Sequence, residues 1–497
     1  MENKFLASLM SVSSYKETEN GAFALSSTQN DLLNAFGTLG AMRSRSNEDI
    51  INTFMKAYGQ DRLLAMKLLF YIRDSRGGTG ERDIFRIIAN HLAQTHTKDM
   101  EVNLKYIPEF GRWDDLYAFV GTKLEDTAFA VMHEQYALDL VNAKEGKPVS
   151  LLGKWLKSAN ASSRITRKLG ELTATKFGES LKNYRKHLSL LRKVIDVTEV
   201  KMSSNDWDKI DYEKVPSYAS KNYREAFKRH DGERYAEFIG AVEKGEASIK
   251  AATLFPYDIV RSYGYNSWGW DGNDDSKVDE TLEAQWKALP NYVTDGKKFL
   301  VMADTSGSMT GLPMETSVSL AIYFAERNTG DFHGKFITFT DNPRLIDIPD
   351  NWTLRERINY VLKNEYVGYN TNLEKAFELV LDAAIKNHCS QEDLPEAILV
   401  ISDMEIDQFG SRKANTTFTA EMSKRFADAG YKMPTLVYWN VNARMDTFHA
   451  EASDDVRFVS GSSAAIFKGL CEHMGYSAMD LMLNVLNDER YSCITVA

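Results

Sequence analysis

The sequence predicts a multidomain protein of α plus α/β class, with an all-helical N-terminal domain and a C-terminal α/β domain built on a doubly wound sheet. Three observations predict it. Apolar residues recur at helical spacing through residues 1–265 with almost no period-two alternation, whereas from residue 297 short apolar runs are separated by helical patterns. The 497 residues also exceed what one hydrophobic core usually supports. The expected division is residues 1–265, a connecting segment 266–296, and residues 297–497.

In the first part, Asn47 to Tyr58 places Ile50, Ile51, Phe54 and Ala57 on one helical face. Asp61 to Arg73 repeats the pattern with Leu64, Leu68 and Tyr71, and Glu81 to Leu92 continues it with Ile84, Phe85, Ile88 and Leu92. Successive helices joined by short polar turns fit an α-solenoid or HEAT-like stack. No clean period marks the repeats. The connecting segment contains Trp268-Gly-Trp-Asp-Gly-Asn-Asp-Asp275, whose composition predicts exposure.

In the last part, strands are expected at Phe299 to Ala303, Lys335 to Thr340, Arg344 to Ile348, Ala397 to Ser402, Thr435 to Trp439 and Arg457 to Val459. Helices are expected at Pro313 to Asn328, Thr353 to Lys363, Leu373 to Asn387, Thr416 to Ala429 and Ser463 to Leu470. Pro313 in a first turn and Gly330 and Gly430 past helix ends are the matching punctuation. Strands separated by helices imply a parallel sheet covered on both faces. The short link Thr340-Asp-Asn-Pro343 implies one antiparallel hairpin.

The segment Asp304-Thr-Ser306-Gly-Ser308 follows the first of these strands and delivers a carboxylate and two hydroxyls into a glycine-broken loop. Alone it reads as an ordinary turn. Thr371 precedes the helix from Leu373, however, and Asp403 closes the strand Ala397 to Ser402, so all five oxygen donors are expected at one edge of the sheet, where open α/β sheets bind ligands. An all-oxygen set suits a hard cation, Mg²⁺ or Mn²⁺, better than a soft one. Asp304, Ser306, Ser308, Thr371 and Asp403 resemble, in kind and order, the metal-ion-dependent adhesion site (MIDAS) of von Willebrand factor A (vWA) domains. That resemblance implies a Rossmann-like doubly wound vWA sheet.

Two glycine-bearing motifs punctuate the helical part. Arg73-Asp-Ser-Arg76-Gly-Gly-Thr-Gly-Glu-Arg82 joins two helices, and Gly111-Arg-Trp-Asp-Asp-Leu116 opens another. The first lacks the Lys-Ser/Thr of a P-loop and follows a helix instead of a strand, so an architectural role is expected: glycines for unusual backbone angles and charges pairing across helix ends.

Charge is uneven. Residues 297–497 carry 19 Lys+Arg against 28 Asp+Glu, whereas residues 151–200 carry 11 against 4. A local basic face attracts phosphates even on an acidic protein, because the attraction is short-ranged in salt. Lys154, Lys157, Arg164, Arg167, Lys168, Arg185, Lys186, Arg192 and Lys193 are the candidate RNA-binding cations, interleaved with Trp155 and Tyr184 whose rings could stack unpaired bases. The alternative is a solvated helix face with Leu181, Leu188 and Leu191 buried behind it.

Asn20-Gly-Ala-Phe, Phe70 to Arg82, Gly111 to Leu116, Tyr184 to Lys193 and Ala303 to Met309 together resemble the DUF2828 and TROVE-type proteins, which are similar to the Ro autoantigen family. The resemblance runs from about Asn20 to Ser460. It implies a helical-repeat domain closed into a ring, joined to a vWA domain, and binding of single-stranded or small noncoding RNA. The expected function is noncatalytic RNA binding, with the metal site engaging an acidic side chain of a partner protein. A protein-only adaptor is the alternative. A Mg²⁺-dependent phosphohydrolase is a further one, but the second Asp expected two residues after an acceptor Asp is Ser306 here. No run approaches the ~18 apolar residues of a membrane span. Met1 to Met10 lacks the features of a secretory signal, and Cys389, Cys471 and Cys493 are too scattered for disulfides or zinc, so a reducing cytoplasm is expected.

Overall fold

The computed structural model describes residues 15–266, 269–270, 277–293, 297–340, 342–362, 371–407, 417–451, 455–472 and 475–497. Most of the expected exposed run from Trp268 to Asp275 lies outside them, as does Asp341 in the predicted hairpin link.

Among the described residues, the N-terminal half is all-helical apart from a short hairpin of β1 (Tyr15–Glu17) and β2 (Phe23–Leu25). Its longer helices are α1 (Asp31–Thr38), α2 (Asn47–Gln60), α3 (Arg62–Arg73), α4 (Arg82–Thr95), α5 (Glu125–Lys144), α6 (Arg164–Lys176), α7 (Leu181–Val194), α8 (Ser217–His230) and α9 (Gly232–Glu243). The sequence supplies their starts. Asn30 Oδ1 accepts from Leu33 N at 2.8 Å, Ser46 Oγ from Asp49 N at 3.1 Å and Asp61 Oδ1 from Leu64 N at 2.9 Å. Each such cap stabilises its helix by about 1 kcal/mol. Ile50, Phe54, Ala57, Leu68, Tyr71, Ile84, Phe85, Ile88 and Leu92 are buried, as their spacing predicts.

The C-terminal half holds a six-stranded sheet of β3 (Phe299–Asp304), β4 (Lys335–Phe339), β5 (Arg344–Asp347), β6 (Ala397–Ser402), β7 (Thr435–Asn440) and β8 (Val456–Ser460). Its order is β8-β7-β6-β3-β4-β5; every pairing is parallel except β4 with β5, the expected hairpin. The central strands β3 and β6 are buried at every position, which is why they read as continuous apolar runs. Ala303 pairs with Ile401, so Asp304 and Asp403 leave the sheet at neighbouring points of one edge.

Packing crosses between the halves in both directions. Near the N-terminus, Leu25 N donates to Phe448 O at 2.8 Å and Gly40 N to Ser460 Oγ at 3.0 Å. A Cβ on Gly40 would lie 2.5 Å from Ser460 O, so only glycine lets the helical layer approach β8 this closely. Near the C-terminus, the helix Ala478–Leu486 packs on α1 and α3, and Thr495 N donates to Asn103 Oδ1 at 3.1 Å. A single apolar cluster therefore runs from Phe36 and Phe70 to Trp439 and Phe458.

The glycine-rich loop after α3 is built into this junction. Asp74 takes Arg490 and the Tyr491 hydroxyl, and Glu81 accepts two hydrogen bonds of 2.7 Å from Arg43. Arg73 meets Asp115 at 2.7 Å with both side chains buried, a contact whose rupture leaves a charge stranded in the core. Among the glycines, Gly80 has a left-handed φ of +73°. Gly78 is required for a different reason from the one expected: a Cβ there would sit 1.9 Å from Tyr71 O, so close approach and not backbone angle excludes a side chain.

Candidate functional site

Asp304, Ser306 and Ser308 lie together at the end of β3, with Asp403 just past the end of the neighbouring β6. Asp304 is fully buried, and both of its oxygens are held: Oδ1 by Ser306 N at 2.9 Å and Oδ2 by Ser402 Oγ at 2.5 Å. Ser306 Oγ and Ser308 Oγ share a hydrogen bond of 3.1 Å. Thr371 is tied to the loop after β6 by Asp407 N, which donates to its carbonyl at 2.9 Å. Burial, and then the charge of Asp403, raise the Asp304 carboxyl above the usual carboxylate range. Two acids facing each other in a buried site are destabilised as a pair of anions.

A hard cation fits this set. It would offset the repulsion between the two carboxylates, and the buried Thr371 Oγ1 has no hydrogen-bond partner among the described residues. An orphaned buried hydroxyl costs about 1–3 kcal/mol, and a bound cation would satisfy it. Asp304, Ser306, Ser308, Thr371 and Asp403 are the residues that would hold Mg²⁺ or Mn²⁺, and the ion would supply a Lewis-acidic position.

Sequence reasoning missed the groups that hold this edge in place. Arg444 Nη2 donates to Asp403 Oδ2 at 2.9 Å, while its Nη1 meets Glu19 Oε2 at 2.9 Å. Met404, directly after Asp403, has a φ of +67°, a costly angle for a side-chain-bearing residue. It is held by Ser402 Oγ, which accepts from Met404 N at 3.1 Å, and by His449 Nε2, which donates to Met404 O at 2.8 Å. The β1–β2 hairpin adds further support: Thr18 Oγ1 donates to Ile406 O at 2.8 Å and Asn20 Nδ2 to Glu405 O at 2.7 Å. No local motif marks Arg444 or His449. The Asn20-Gly-Ala-Phe motif was visible, but not its docking site nearly 400 residues away.

The basic candidates lie mainly on α6 and α7. Ser163 and Ser180 cap these helices, whose inner faces bury Gly170, Thr173 and Ala174, and Tyr184, Leu188 and Leu191. Arg164, Arg167 and Lys168 share one exposed face of α6, and Arg185, Lys186 and Lys193 one exposed face of α7. Among the described residues none of these six forms an ion pair. Arg192 is engaged differently. Its guanidinium donates to Gly153 O, Ser158 Oγ and Leu156 O at 3.1, 2.9 and 2.9 Å, pinning the 153–158 loop. Lys157 lies 3.2 Å from Asp114, and Lys154 stays near Trp155. The rings also differ from expectation. Tyr184 is buried with its hydroxyl on Lys157 O, Trp155 is stacked by Arg112 at 4.1 Å, and Leu181 is exposed in place of Tyr184.

The chain matches two family models. One is described as domain of unknown function DUF2828 and covers residues 18–152 and 149–298; the other, domain of unknown function DUF7788, covers residues 298–490. An uncharacterized protein of Acanthamoeba polyphaga mimivirus is 27% identical over 509 residues, spanning 94% of this chain and 86% of its own length. Among solved structures, the Ro (RSR) protein of Deinococcus radiodurans is similar at a TM-score of 0.48 and 13% identity, covering 93% of this chain and 100% of its own.

Proposed function

This chain belongs to the DUF2828 family, and from its own geometry we propose that it is a noncatalytic RNA-binding protein whose sheet edge holds a divalent cation and engages an acidic partner. The observation that carries the RNA reading is the pair of exposed, unpaired basic faces on α6 and α7 of a chain with a formal net charge of −10. Other cations, such as Arg425 with Glu374, Glu378 and Glu421, are engaged in ion pairs. Unpaired Arg and Lys at helical spacing suit a phosphate backbone, because neutralising successive phosphates releases counterions. Ile165, 74% exposed beside Arg164, offers an apolar surface to a base.

The metal reading is supported by the orphaned Thr371 hydroxyl and by two facing carboxylates on one sheet edge. A divalent cation held by two carboxylates and three neutral hydroxyls is formally neutral, so an acidic side chain would be taken up as a ligand at an open coordination position and not by net charge. A catalytic role is not favoured: Asp304 is enclosed and both its oxygens accept hydrogen bonds, which leaves it poorly placed as a phosphoryl acceptor. Ultraviolet crosslinking of the purified protein to single-stranded RNA, followed by peptide mapping, tests the RNA reading. Crosslinks on α6 and α7 are expected. Their absence, with no RNA retained by the native protein, would leave a protein-only adaptor as the better account.

A further inference from the structure

Beside the basic helices lies an open cleft of about 640 Å³, between α2, α4 and the Gly111-Arg-Trp-Asp-Asp motif. Its volume is in the range of small-ligand sites, roughly 300–1,000 Å³. Its chemistry is divided. Ile51, Ile87 and Leu169 supply apolar surface, while Asn90, His91 and Gln94 supply amide and imidazole edges. Arg86 and Lys157 supply charge at the same cleft, where they meet Asp114.

The charges there do not cancel. Asp114 and Asp115 are surrounded by Arg73, Arg86, Arg112 and Lys157, so four cations meet two carboxylates. Arg86 Nε donates to Asp115 Oδ1 at 2.8 Å, while its buried Nη2, 2.7 Å from the same oxygen and 3.4 Å from Asp114 Oδ2, makes only ionic contacts and no hydrogen bond among the described residues. The polar edges are also underused. Asn90 Nδ2 donates to Ala118 O and Gln94 Nε2 to Asn90 Oδ1, but the His91 ring has no hydrogen-bond partner among the described residues. Leu169, which lines the cleft, follows Lys168 on α6, so the basic face leads to its edge.

We propose that this cleft takes one unpaired nucleotide, with its phosphate on Arg86 and Lys157, its base against Ile51, Ile87 and Leu169, and the base edge read by Asn90, His91 and Gln94. The site is suited to this ligand because it combines one anion-binding point with an apolar wall and flat hydrogen-bonding edges. An acidic peptide would need cations repeated along its length and would leave the amide edges unused. The proposal deepens the RNA reading and rests on it for the strand, but the nucleotide unit itself can be tested free.

The experiment measures, by calorimetry and fluorescence anisotropy, binding of adenosine and uridine 5′-monophosphates and of a labelled single-stranded RNA oligonucleotide to the full chain. The variants are Lys157→Gln, His91→Ala at the half-buried rim, and Arg164→Gln/Arg167→Gln/Lys168→Gln on α6. Lys157→Gln is expected to weaken mononucleotide and oligonucleotide by at least about tenfold, the worth of one charged hydrogen bond, and His91→Ala by about fivefold, the worth of a neutral one, with unchanged circular dichroism. The α6 variant is expected to weaken the oligonucleotide alone. A wild type that binds the oligonucleotide but takes up neither mononucleotide at millimolar concentration, or cleft variants within twofold of wild type, would overturn the cleft assignment while leaving the RNA reading intact. Binding of neither ligand would overturn both. Competition by hexaglutamate as effective as that by a mononucleotide would assign the cleft to acidic peptides instead.

Discussion

Arg444 reaches Asp403 with a hydrogen bond of 2.9 Å, placing a guanidinium against one of the two carboxylates at the sheet edge. Its other arm is balanced by Glu19 of the β1–β2 hairpin. The cation thus neutralises a candidate metal ligand in the metal-free protein and opposes the positive charge of an incoming ion. Arg444→Gln should lower the melting temperature of the metal-free protein and tighten Mg²⁺ binding by about tenfold, or about 1.4 kcal/mol. Calorimetric titration with Mg²⁺ checks this, and weaker binding in the variant would show that Arg444 serves the site by holding Asp403 in position.

Asp304→Ala should abolish the rise in melting temperature produced by Mg²⁺ or Mn²⁺. A ligand that binds only the native state stabilises it by RT ln(1 + [L]/Kd), about 2.7 kcal/mol at a hundredfold excess over Kd. Thermal scans with and without chelator measure it. An undiminished metal response in the variant would remove the carboxylate from the site.

His449 links this region to pH. Full burial lowers its imidazole from the ordinary value of 6.5 to about 4, and its Nε2–H is committed to Met404 O. The folded state keeps His449 neutral while the unfolded chain protonates it below 6.5, so its contribution is complete above that pH and is lost as pH falls towards about 4. Up to about 3 kcal/mol is at stake. Chemical denaturation at pH 7 and at pH 5 should show this loss in the wild type and a smaller one in His449→Gln, which is uncharged in both states; equal losses would deny His449 the role.

Gly78→Ala should destabilise far more than Gly77→Ala. The added methyl meets the Tyr71 carbonyl at 1.9 Å in the first case, but at the second position it meets the Asp74 carboxylate at 3.0 Å, a contact relieved by a shift of a few tenths of an ångström. Overpacking against backbone costs about 1–3 kcal/mol or more. Comparable melting temperatures for the two variants would contradict the close-approach reading.

Elements with local causes were legible in the sequence. The strands β3 and β6 announce themselves because parallel strands buried on both faces carry uninterrupted apolar runs, and α2 and α4 because their buried residues recur at helical spacing, whereas α3 is buried at every position from Ala65 to Arg73. The expected oxygen donors stand out because Asp304 and Asp403 fall at or just past the ends of such strands, Ser306 and Ser308 follow Asp304 in its loop, and Thr371 lies shortly before a helix. The inward turn of Arg192 had a signal that charge counting overrides: it is four residues after Leu188 and adjacent to Leu191, at the border of the buried stripe that Tyr184 begins. Docking of three-residue strands, and the partnership of Arg444 with both Asp403 and Glu19, depend on contacts across hundreds of residues and leave no local periodicity.

The central claim is that exposed cations on α6 and α7 neutralise an RNA backbone. The salt dependence of single-stranded RNA affinity tests it most directly, comparing wild type with Arg185→Gln/Lys186→Gln/Lys193→Gln. Each phosphate contact contributes about 0.7 to the slope of log affinity against log salt. Wild type should bind at low salt with a steep slope, and the triple variant should fold normally with a slope shallower by about 2. Identical slopes, or no binding to structured or unstructured RNA at low salt, would contradict the account.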